Sequence, residues 1–321
     1  MIPTAAQLFG QLPHFLRRHR LMRAYMWLTG QDPVQLVRIR DQSLGYADLR
    51  DGFLRLIVIE GEFEPNFFRI ADKVLSNGGV FFDIGANYGL LSLGLAGRHG
   101  IGVECHLFEP NSTLIEIIRR SINLYPQIKW HLVPSAVSAS EGEVRFLVVP
   151  HQTGISHLVD SGGVLVRAIT IDQYLSSTGL AYVDFIKIDV EGHELSVLRG
   201  AKNALIGRHI GVIYFEYCRS HLARQDAPGD PIEFLQNLGF SVCFSQSWDL
   251  RTYGPATHTI KKGVAGHGLP LIPVEGHKLP AMTDLLAVPS ENLSRWNPVP
   301  GATPVSERSL LNNHINGNND K

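Results

Sequence analysis

Short apolar runs alternate with longer amphipathic runs through most of this 321-residue chain. Near-continuous apolar runs are typical of strands buried on both faces of a parallel sheet, and the runs between them are long enough to form covering helices. The pattern therefore predicts an α/β fold, a mostly parallel seven-stranded sheet with helices on both faces. The predicted strands are 80–84, 105–109, 130–133, 185–189, 212–216, 240–244 and 284–288. The predicted helices are 65–76, 90–98, 112–123, 191–205 and 230–238.

Two insertions interrupt this alternation. Apolar runs at 141–149 and 164–172 flank a polar loop, which predicts an inserted β-hairpin. The segment 247–281 is far longer than an ordinary connection, so we expect it to be functional or disordered.

The ends of the chain differ from its centre, which predicts three zones. Residues 1–58 form a basic N-terminal extension with a helix predicted over 8–28. Residues 59–292 form the α/β domain, with the 247–281 insertion inside it. Residues 293–321 are polar and rich in Asn, so we expect a disordered tail.

The charge balance excludes one class of protein. The chain has 29 Lys and Arg against 30 Asp and Glu, a net charge of −1. No general positive field attracts a polyanion, so we expect no nucleic-acid partner.

Cysteine usage and hydropathy bear on location. Cys105, Cys218 and Cys243 are odd in number and lie in apolar runs, which predicts buried free thiols and a reducing compartment. No apolar run reaches the roughly 18 residues that a transmembrane segment needs, and we find no secretory signal. We therefore expect a cytoplasmic protein. Peripheral membrane contact through residues 8–28 stays open.

The stretch VFFDIGANYGLLSL, residues 80–93, has the pattern of a strand that enters a helix through a glycine turn. The dinucleotide fingerprint requires glycine at its first, third and sixth positions, which here hold Gly85, Asn87 and Leu90. The phosphate-binding G-x-x-x-x-G-K-[ST] loop is absent as well. Two of three fingerprint glycines are missing, which disfavours a dinucleotide.

Four of the predicted parallel strands end in an acid, and these acids are Asp83, Glu109, Asp189 and Glu216. Ligands of open α/β sheets bind outside the carboxyl ends of the strands. A rim of carboxylates there repels a diphosphate and favours a cation, such as a cofactor that carries a sulfonium and an ammonium group. A carboxylate at Glu109 can also accept hydrogen bonds from both hydroxyls of a ribose; the alternative is a solvated acid before a helix start.

Several stretches together resemble the FkbM-type methyltransferases, a branch of the class I S-adenosylmethionine-dependent enzymes. The resemblance covers roughly residues 60–220, with a weaker similarity at DLLAVP. It is carried by FEPNFF, FFDIGANYGLLSL, LFEPN, SAVSASEGEVRF, TIDQYL, DFIKIDVEGHELSVLRGAKNAL and IYFEY. It implies a Rossmann-like class I methyltransferase fold, and S-adenosyl-L-methionine as the cofactor.

The resemblance also implies where the cofactor binds. The glycine loop would contact its methionine part, Glu109 its ribose, and the segment after the third strand its adenine. The implied cofactor-binding residues are Asp83, Gly85, Asn87, Tyr88, Gly89, Glu109, Ser135 and Ala136. Tight packing of strand against helix is a compatible structural reason for the two glycines.

The KIDVEGHE motif supplies the catalytic candidates Asp189, Glu191 and His193. Methyl transfer to an alcohol requires alignment of the reacting atoms and removal of the hydroxyl proton. We expect Asp189 or Glu191 to orient or deprotonate the acceptor, with His193 as a further candidate or a surface residue. Glu194 is expected to cap a helix, and Lys187 to form a structural ion pair.

A divalent metal at the acidic rim is the alternative chemistry, but nothing in the spacing requires one, so we predict no metal site. The insertion histidines His258, His267 and His277 are nine and ten residues apart without a neighbouring Cys or acid pair, and are interpreted as loop residues.

The sequence thus predicts a methyltransferase that O-methylates a hydroxyl of a sugar, glycan or other small molecule. We expect a monomer or a homodimer. Two alternatives stay open: an NAD-dependent oxidoreductase, and a catalytically idle scaffold with a methyltransferase fold.

Overall fold

A computed structural model describes most of the chain. The described residues are 3–11, 18–39, 43–52, 54, 64–222, 229–245, 271–277, 279 and 281–296. The predictions made for His258, His267 and the tail from residue 297 therefore lie outside the described residues.

Fourteen strands and eleven α-helices occur in the described residues. The strands are β1 (Val34–Arg38), β2 (Leu44–Asp48), β3 (Gly79–Ile84), β4 (Val103–Phe108), β5 (Lys129–Val133), β6 (Ala136–Val137), β7 (Gly142–Leu147), β8 (His157–Val159), β9 (Val164–Ile169), β10 (Val183–Ile188), β11 (Ile210–Cys218), β12 (Phe240–Ser245), β13 (Leu271–Pro273) and β14 (Met282–Pro289). The helices are α1 (Ala5–Gln11), α2 (Arg18–Thr29), α3 (Pro65–Val74), α4 (Leu90–His99), α5 (Ser112–Ile122), α6 (Ile171–Thr178), α7 (Glu194–Gly200), α8 (Lys202–Ile206), α9 (Arg219–Leu222), α10 (Pro231–Asn237) and α11 (Leu293–Trp296).

The central sheet has the order β13-β12-β14-β11-β10-β3-β4-β5. The five strands from β11 to β5 are parallel, whereas β14 runs antiparallel to both β11 and β12. The strand order reverses between β3 and β10, which makes this the switch point where open α/β sheets bind ligands. The predicted α/β fold with a largely parallel sheet is confirmed. All seven predicted strands are present, and β13 from the end of the long insertion adds an eighth at the edge.

Local sequence explains where several helices begin and end. Asn111 caps α5 by accepting from Thr113 N, and Thr170 caps α6 by accepting from Gln173 N. Gly179 ends α6 in the left-handed conformation that glycine adopts without strain. α5 follows β4 of the central sheet, so its cap fixes the loop that carries Glu109.

A second, smaller sheet has the order β6-β9-β7-β8. Its centre is the antiparallel β7–β9 pair, which confirms the predicted inserted hairpin. The short strand β6 pairs with β9 on one side, and the short strand β8 pairs with β7 on the other.

The N-terminal extension contains a hairpin, β1–β2, that the sequence analysis did not predict, beside the helices α1 and α2. Leu44 N donates to Tyr125 Oη at 2.6 Å, and Tyr46 N to Ser121 Oγ at 2.8 Å, which anchors β2 to α5. The apolar side of the extension, including Met22, Met26 and Leu49, forms a second core with residues of α4 and α5. The extension is therefore packed on the α/β domain.

The main core lies on both faces of the large sheet. Phe67 of α3 packs against Phe81 and Phe185 with ring centroids 5.6 and 5.4 Å apart, below the switch point. The three cysteines are buried and free, as predicted. Within the described residues no helix is both long enough and apolar enough to cross a bilayer.

Candidate active site

A cavity of about 600 Å³ opens at the carboxyl ends of the parallel strands, at the switch point between β3 and β10. Its walls come from the loops after β3, β4, β5 and β10, from Tyr214 and Glu216 within β11, and from the first residues of β14. Residues of the N-terminal extension and of the 152–156 loop complete it. Distant parts of the chain thus meet at one site.

The glycine loop forms one wall, and its backbone is held in place from behind. A Cβ atom on Gly85 would lie 2.0 Å from the carbonyl oxygen of Asp189, and its φ of 75° is one that other residues rarely adopt. Lys187 Nζ donates to the Gly85 carbonyl at 2.8 Å. The loop after β3 and the loop after β10 are therefore in direct backbone contact, which only glycine allows here.

Glu109 links the loops after β3 and β4. One carboxylate oxygen accepts from Asn87 N at 2.8 Å and the other from Asn111 N at 2.8 Å. Burial raises the pKa of Glu109 to about 7, against the opposing effect of these two amides. The carboxyl lines the cavity and keeps unused lone pairs, so it can accept hydroxyl groups of a ligand.

Two of the predicted cofactor residues lie behind the loop and do not line the cavity. Asp83 is only 1% exposed, accepts from Ser92 Oγ at 2.7 Å and lies 3.6 Å from Lys187 Nζ. Gly89 takes a left-handed φ of 71° at the start of α4. The other predicted cofactor residues line the cavity, and these are Gly85, Asn87, Tyr88, Glu109, Ser135 and Ala136.

The three catalytic candidates lie together on the loop after β10. Asp189 is 3.4 Å from Lys187 Nζ, and Glu191 has a positive φ of 53°, a strained conformation for a residue with a side chain. His193 is half-buried rather than on the open surface, and its Nε2 is 3.0 Å from Ser138 Oγ. Burial lowers the pKa of His193 to about 4, so its imidazole is neutral at neutral pH.

The neighbours of these candidates have structural roles, as the sequence analysis expected. Glu194 Oε1 accepts from the backbone amides of Val190 and Gly192 and thereby holds the loop at the start of α7. Burial disfavours a charge on Lys187, but Asp189 and Asp83 more than offset this and raise its pKa. Lys187 therefore stays protonated and cannot serve as a base.

Glu64, Glu216 and Asp284 add further carboxyls to the cavity wall, and Glu216 is the cross-strand neighbour of Asp284. Burial, followed by repulsion from neighbouring carboxylates, raises the pKa of Glu64 to about 8 and that of Glu216 to about 10. The same causes raise the pKa of Asp284 to about 6. Together with Asp189 and Glu191, these residues form the acidic end of the cavity.

Sequence reasoning missed Glu64 and Asp284 as site residues. Glu64 directly precedes Pro65 at the start of α3 and has a positive φ of 44°. The E-P pair was a visible helix-start signal, but nothing local shows that this helix begins at the cavity. Asp284 begins an antiparallel strand, so it reaches the same edge as the carboxyl ends of the parallel strands.

A polar contact joins the N-terminal extension to the glycine loop. Thr153 Oγ1 lies 2.9 Å from Asp51 Oδ2 and 3.0 Å from Asn87 Oδ1, and Thr153 N also donates to Asp51 at 2.9 Å. Gly52 and Leu54, which follow Asp51, line the cavity. The extension, the 152–156 loop and the glycine loop are thus parts of one wall.

Two groups of side chains in the described residues have the composition of metal ligands. Glu104, His106 and His131 lie away from the cavity. There the two imidazoles stack with centroids 4.1 Å apart, and the Glu104 carboxyl also binds Lys129 at 2.8 Å. The Nε2 atoms of His106 and His131 lie 3.3 and 2.9 Å from the same oxygen, Glu104 Oε1. The second group, Glu191, Glu216 and His221, belongs to the acidic end of the cavity, where His221 Nδ1 is 3.8 Å from Glu216 Oε2.

Comparison with known proteins gives one family and several relatives. A family model described as methyltransferase FkbM domain matches residues 83–242. The chain is 27% identical over 180 residues to hexuronic acid methyltransferase AglP of Haloferax volcanii, a match that covers 55% of the chain and 64% of that relative. The match thus spans less than two thirds of the relative's length.

Solved structures give more distant matches. Methyltransferase FkbM from Methylobacillus flagellatus aligns with a TM-score of 0.39 and 18% identity, over 52% of this chain and 39% of that one. An S-adenosylmethionine-dependent O-methyltransferase from Thermotoga maritima aligns with a TM-score of 0.39 and 14% identity, over 82% of this chain and 80% of that one.

Proposed function

Because the chain contains a domain of the FkbM family and is an S-adenosylmethionine-dependent methyltransferase, we propose that it O-methylates a hydroxyl group of a neutral sugar or glycan. The family match argues against a nicotinamide-dependent oxidoreductase, and the assay below distinguishes an active enzyme from an idle scaffold. The observation that carries the proposal is the position of Asp189 and Glu191 in the cavity, beside the glycine loop and at its acidic end.

The fit of the cofactor to this site rests on two features. The loop after β3 approaches the Asp189 carbonyl so closely that a Cβ atom on Gly85 would fill the gap. The Glu109 carboxyl faces the cavity with free acceptor capacity, as ribose hydroxyls require. In our proposal Gly85, Asn87 and Tyr88 bind the methionine part, Glu109 the ribose, and Ser135 and Ala136 the adenine.

When bound, S-adenosylmethionine supplies an electrophilic methyl group on a positively charged sulfur. The acidic end of the cavity provides the negative charge that stabilises such a cation. Asp189 or Glu191 orients the acceptor hydroxyl and takes its proton. Lys187 keeps the Asp189 carboxylate in place through their 3.4 Å ion pair. His193, whose imidazole is neutral at neutral pH and lies 3.0 Å from Ser138 Oγ, is the further candidate that would position the acceptor or take its proton.

Charge also selects among acceptors. The relative from Haloferax volcanii is a hexuronic acid methyltransferase, and a uronate carries a carboxylate. In the described part of the chain the cavity-lining residues include one lysine, Lys187, which is already paired with two acids, and no arginine. Five carboxyls line the acidic end, and Glu64 and Glu216, with pKa values of about 8 and 10, keep their protons at neutral pH. The charge on the remaining carboxylates repels an anionic acceptor. A neutral hydroxyl-bearing acceptor fits this cavity better.

A methyl-transfer assay with labelled S-adenosylmethionine tests the proposal. Matched methyl glycosides of a neutral hexose and of the corresponding hexuronic acid are offered as acceptors. We expect transfer to an oxygen of the neutral glycoside and at least tenfold lower kcat/KM for the uronate. Preference for the uronate, or transfer to its carboxyl group, would reject the acceptor assignment. The variant Glu143→Gln, at an exposed position of β7, is the control for variants that remove a charge from the cavity.

The cytoplasmic location and the monomeric or homodimeric state belong to this proposal as well. Three buried free thiols support a reducing compartment. Sedimentation of the full chain measures the oligomeric state.

A further inference from the structure

The outer face of α2 is apolar and basic, which is unusual for a helix face in contact with water. Leu21, Trp27 and Leu28 are 52%, 81% and 74% exposed. Ala24 is exposed beside them, together with Arg20 and Arg23. Exposed helix faces are ordinarily polar, and contiguous exposed apolar patches usually mark an interaction site.

The inner face of the same helix is already used. Met22 and Met26 are buried in the second core, where they pack with Phe9 and Leu49. Ala5 N and Ala6 N donate to the side chains of Gln31 and Gln35, which fixes α1 beside α2. The helix therefore cannot rotate to bury Trp27 without breaking this core. Leu21, Trp27 and Leu28 therefore remain available to a partner outside the described fold.

The charge of the face indicates which partner. The helix sequence RHRLMRAYMWLT has three arginines and no acid. A Trp and two Leu flanked by arginines match the composition of helices that lie in the interface of an anionic bilayer. A two-fold dimer through the same face would bring the arginines of both copies together, at an electrostatic cost.

We propose that this face, Arg20, Leu21, Arg23, Ala24, Trp27 and Leu28, docks the protein on an anionic lipid surface. Trp27 and Leu28 enter the headgroup region, and Arg20 and Arg23 contact lipid phosphates. Docking through three large apolar side chains is weak and reversible. It would hold the protein at a membrane surface, and it does not depend on the acceptor proposed above.

Co-sedimentation of the full chain with vesicles tests the proposal. One set contains phosphatidylcholine alone, and the other contains equal parts of phosphatidylcholine and phosphatidylglycerol. We expect binding to the anionic vesicles, at least tenfold weaker binding to the neutral ones, and release by high salt. The variants Trp27→Ala/Leu28→Ala and Arg20→Gln/Arg23→Gln should each lose at least tenfold in affinity for anionic vesicles.

Control variants separate docking from folding. Ile206→Ala/Arg295→Gln removes an exposed apolar residue and an exposed arginine elsewhere and should bind as the unaltered protein does. All variants should keep the melting temperature and the affinity for S-adenosylmethionine. The proposal is overturned if the unaltered chain ignores anionic vesicles, if the Trp27→Ala/Leu28→Ala variant binds as well as the control, or if sedimentation shows a dimer that this variant dissociates.

Discussion

Glu216 of β11 lies directly opposite Asp284 of β14, so two acids are cross-strand neighbours inside the cavity. Like charges in this arrangement destabilise a sheet. Burial and the surrounding carboxylates raise the pKa of Glu216 to about 10 and that of Asp284 to about 6. At neutral pH the pair therefore keeps one proton, on Glu216. The protein tolerates this strain at the place where we expect the methyl acceptor to bind.

The first prediction is that Glu216→Gln stabilises the protein free of cofactor at alkaline pH. Between the ordinary pKa of 4.5 and the folded-state pKa of about 10, the unfolded chain has lost this proton and the folded chain has kept it. The free energy of unfolding then falls as pH rises, by about 1.4 kcal/mol per pH unit for such a group. Glutamine has no proton to lose. The melting temperature should therefore fall less between pH 7 and pH 9 for the variant than for the unaltered protein.

Two features of the chain sharpen this test. The pKa values of His106 and His193 are lowered to about 4, chiefly by burial, and these groups affect stability only below about pH 6.5. Glu64, with a pKa of about 8, contributes to the slope that remains in the variant, and Glu109 and Glu194, with pKa values of about 7, contribute near pH 7. The control is the Glu143→Gln variant. The prediction is contradicted if the melting temperature falls equally with pH for the unaltered protein and for Glu216→Gln.

Cofactor affinity should depend on pH through Glu109. Its pKa is about 7 in the free protein, whereas hydroxyl groups of a bound ribose favour the ionised form. Binding then releases a proton below pH 7. The Kd for S-adenosylmethionine should therefore increase as the pH falls below 7. Calorimetry in buffers of different ionisation enthalpy measures the released proton.

The variant Glu109→Gln should abolish this pH dependence and raise the Kd at pH 8. Loss of hydrogen bonds to a charged group costs about 1.5–3 kcal/mol, or roughly 10- to 100-fold in Kd. Glu141→Gln, at an exposed position before β7, is the matched control. An unchanged Kd for Glu109→Gln would remove Glu109 from the cofactor site.

The third prediction concerns Gly85 and uses Gly179 for comparison. Both glycines have a left-handed φ, 75° and 70°, but a Cβ on Gly179 meets nothing within 4 Å. Gly179→Ala should therefore cost only the conformational penalty, about 1–2 kcal/mol. Gly85→Ala should cost clearly more, because the Asp189 carbonyl must move, and it should also weaken cofactor binding. Equal losses of stability in chemical denaturation would show that the close approach is unimportant.

The fourth prediction addresses proton removal. Asp189→Asn and Glu191→Gln each keep the shape of the side chain but lose the base. If one of the two takes the acceptor proton, that variant should lose roughly 10²- to 10⁴-fold in kcat with little change in the Kd for S-adenosylmethionine. Single-turnover assays with a saturating neutral glycoside measure this. Near-normal kcat in the double variant would refute the proposed base.

The local motifs place most of the proposed cofactor residues at the cavity wall, but they miss much of the acidic end. Gly85, Glu109 and Asp189 stand at the ends of parallel strands, and any parallel sheet brings such ends to one edge. Asp83 also stands near a strand end, yet its side chain points behind the loop to Ser92 and Lys187. A one-dimensional pattern places a residue at an edge but does not tell which side of the loop its side chain takes.

Other site residues depend on pairings between distant segments. Asp284 reaches the cavity because β14 pairs antiparallel with β11 in one register, and a register between segments some 70 residues apart has no local signal. The contact of Thr153 with Asp51 and Asn87 joins three segments in the same way. The hairpin β1–β2 was missed because its strands, VQLVR and LGYAD, mix polar and apolar residues, whereas the predicted strands are near-continuous apolar runs.

β14 is the last strand in chain order, so the two ends of the cavity are synthesised at different times. The glycine loop, Glu109 and Asp189 are all translated before residue 190, and they form one half of the site. Asp284 and its neighbours emerge nearly 100 residues later and insert between β11 and β12. The residues proposed to bind the methyl donor are thus synthesised well before Asp284. The acidic end of the cavity is complete only when β14 has paired with β11 and β12.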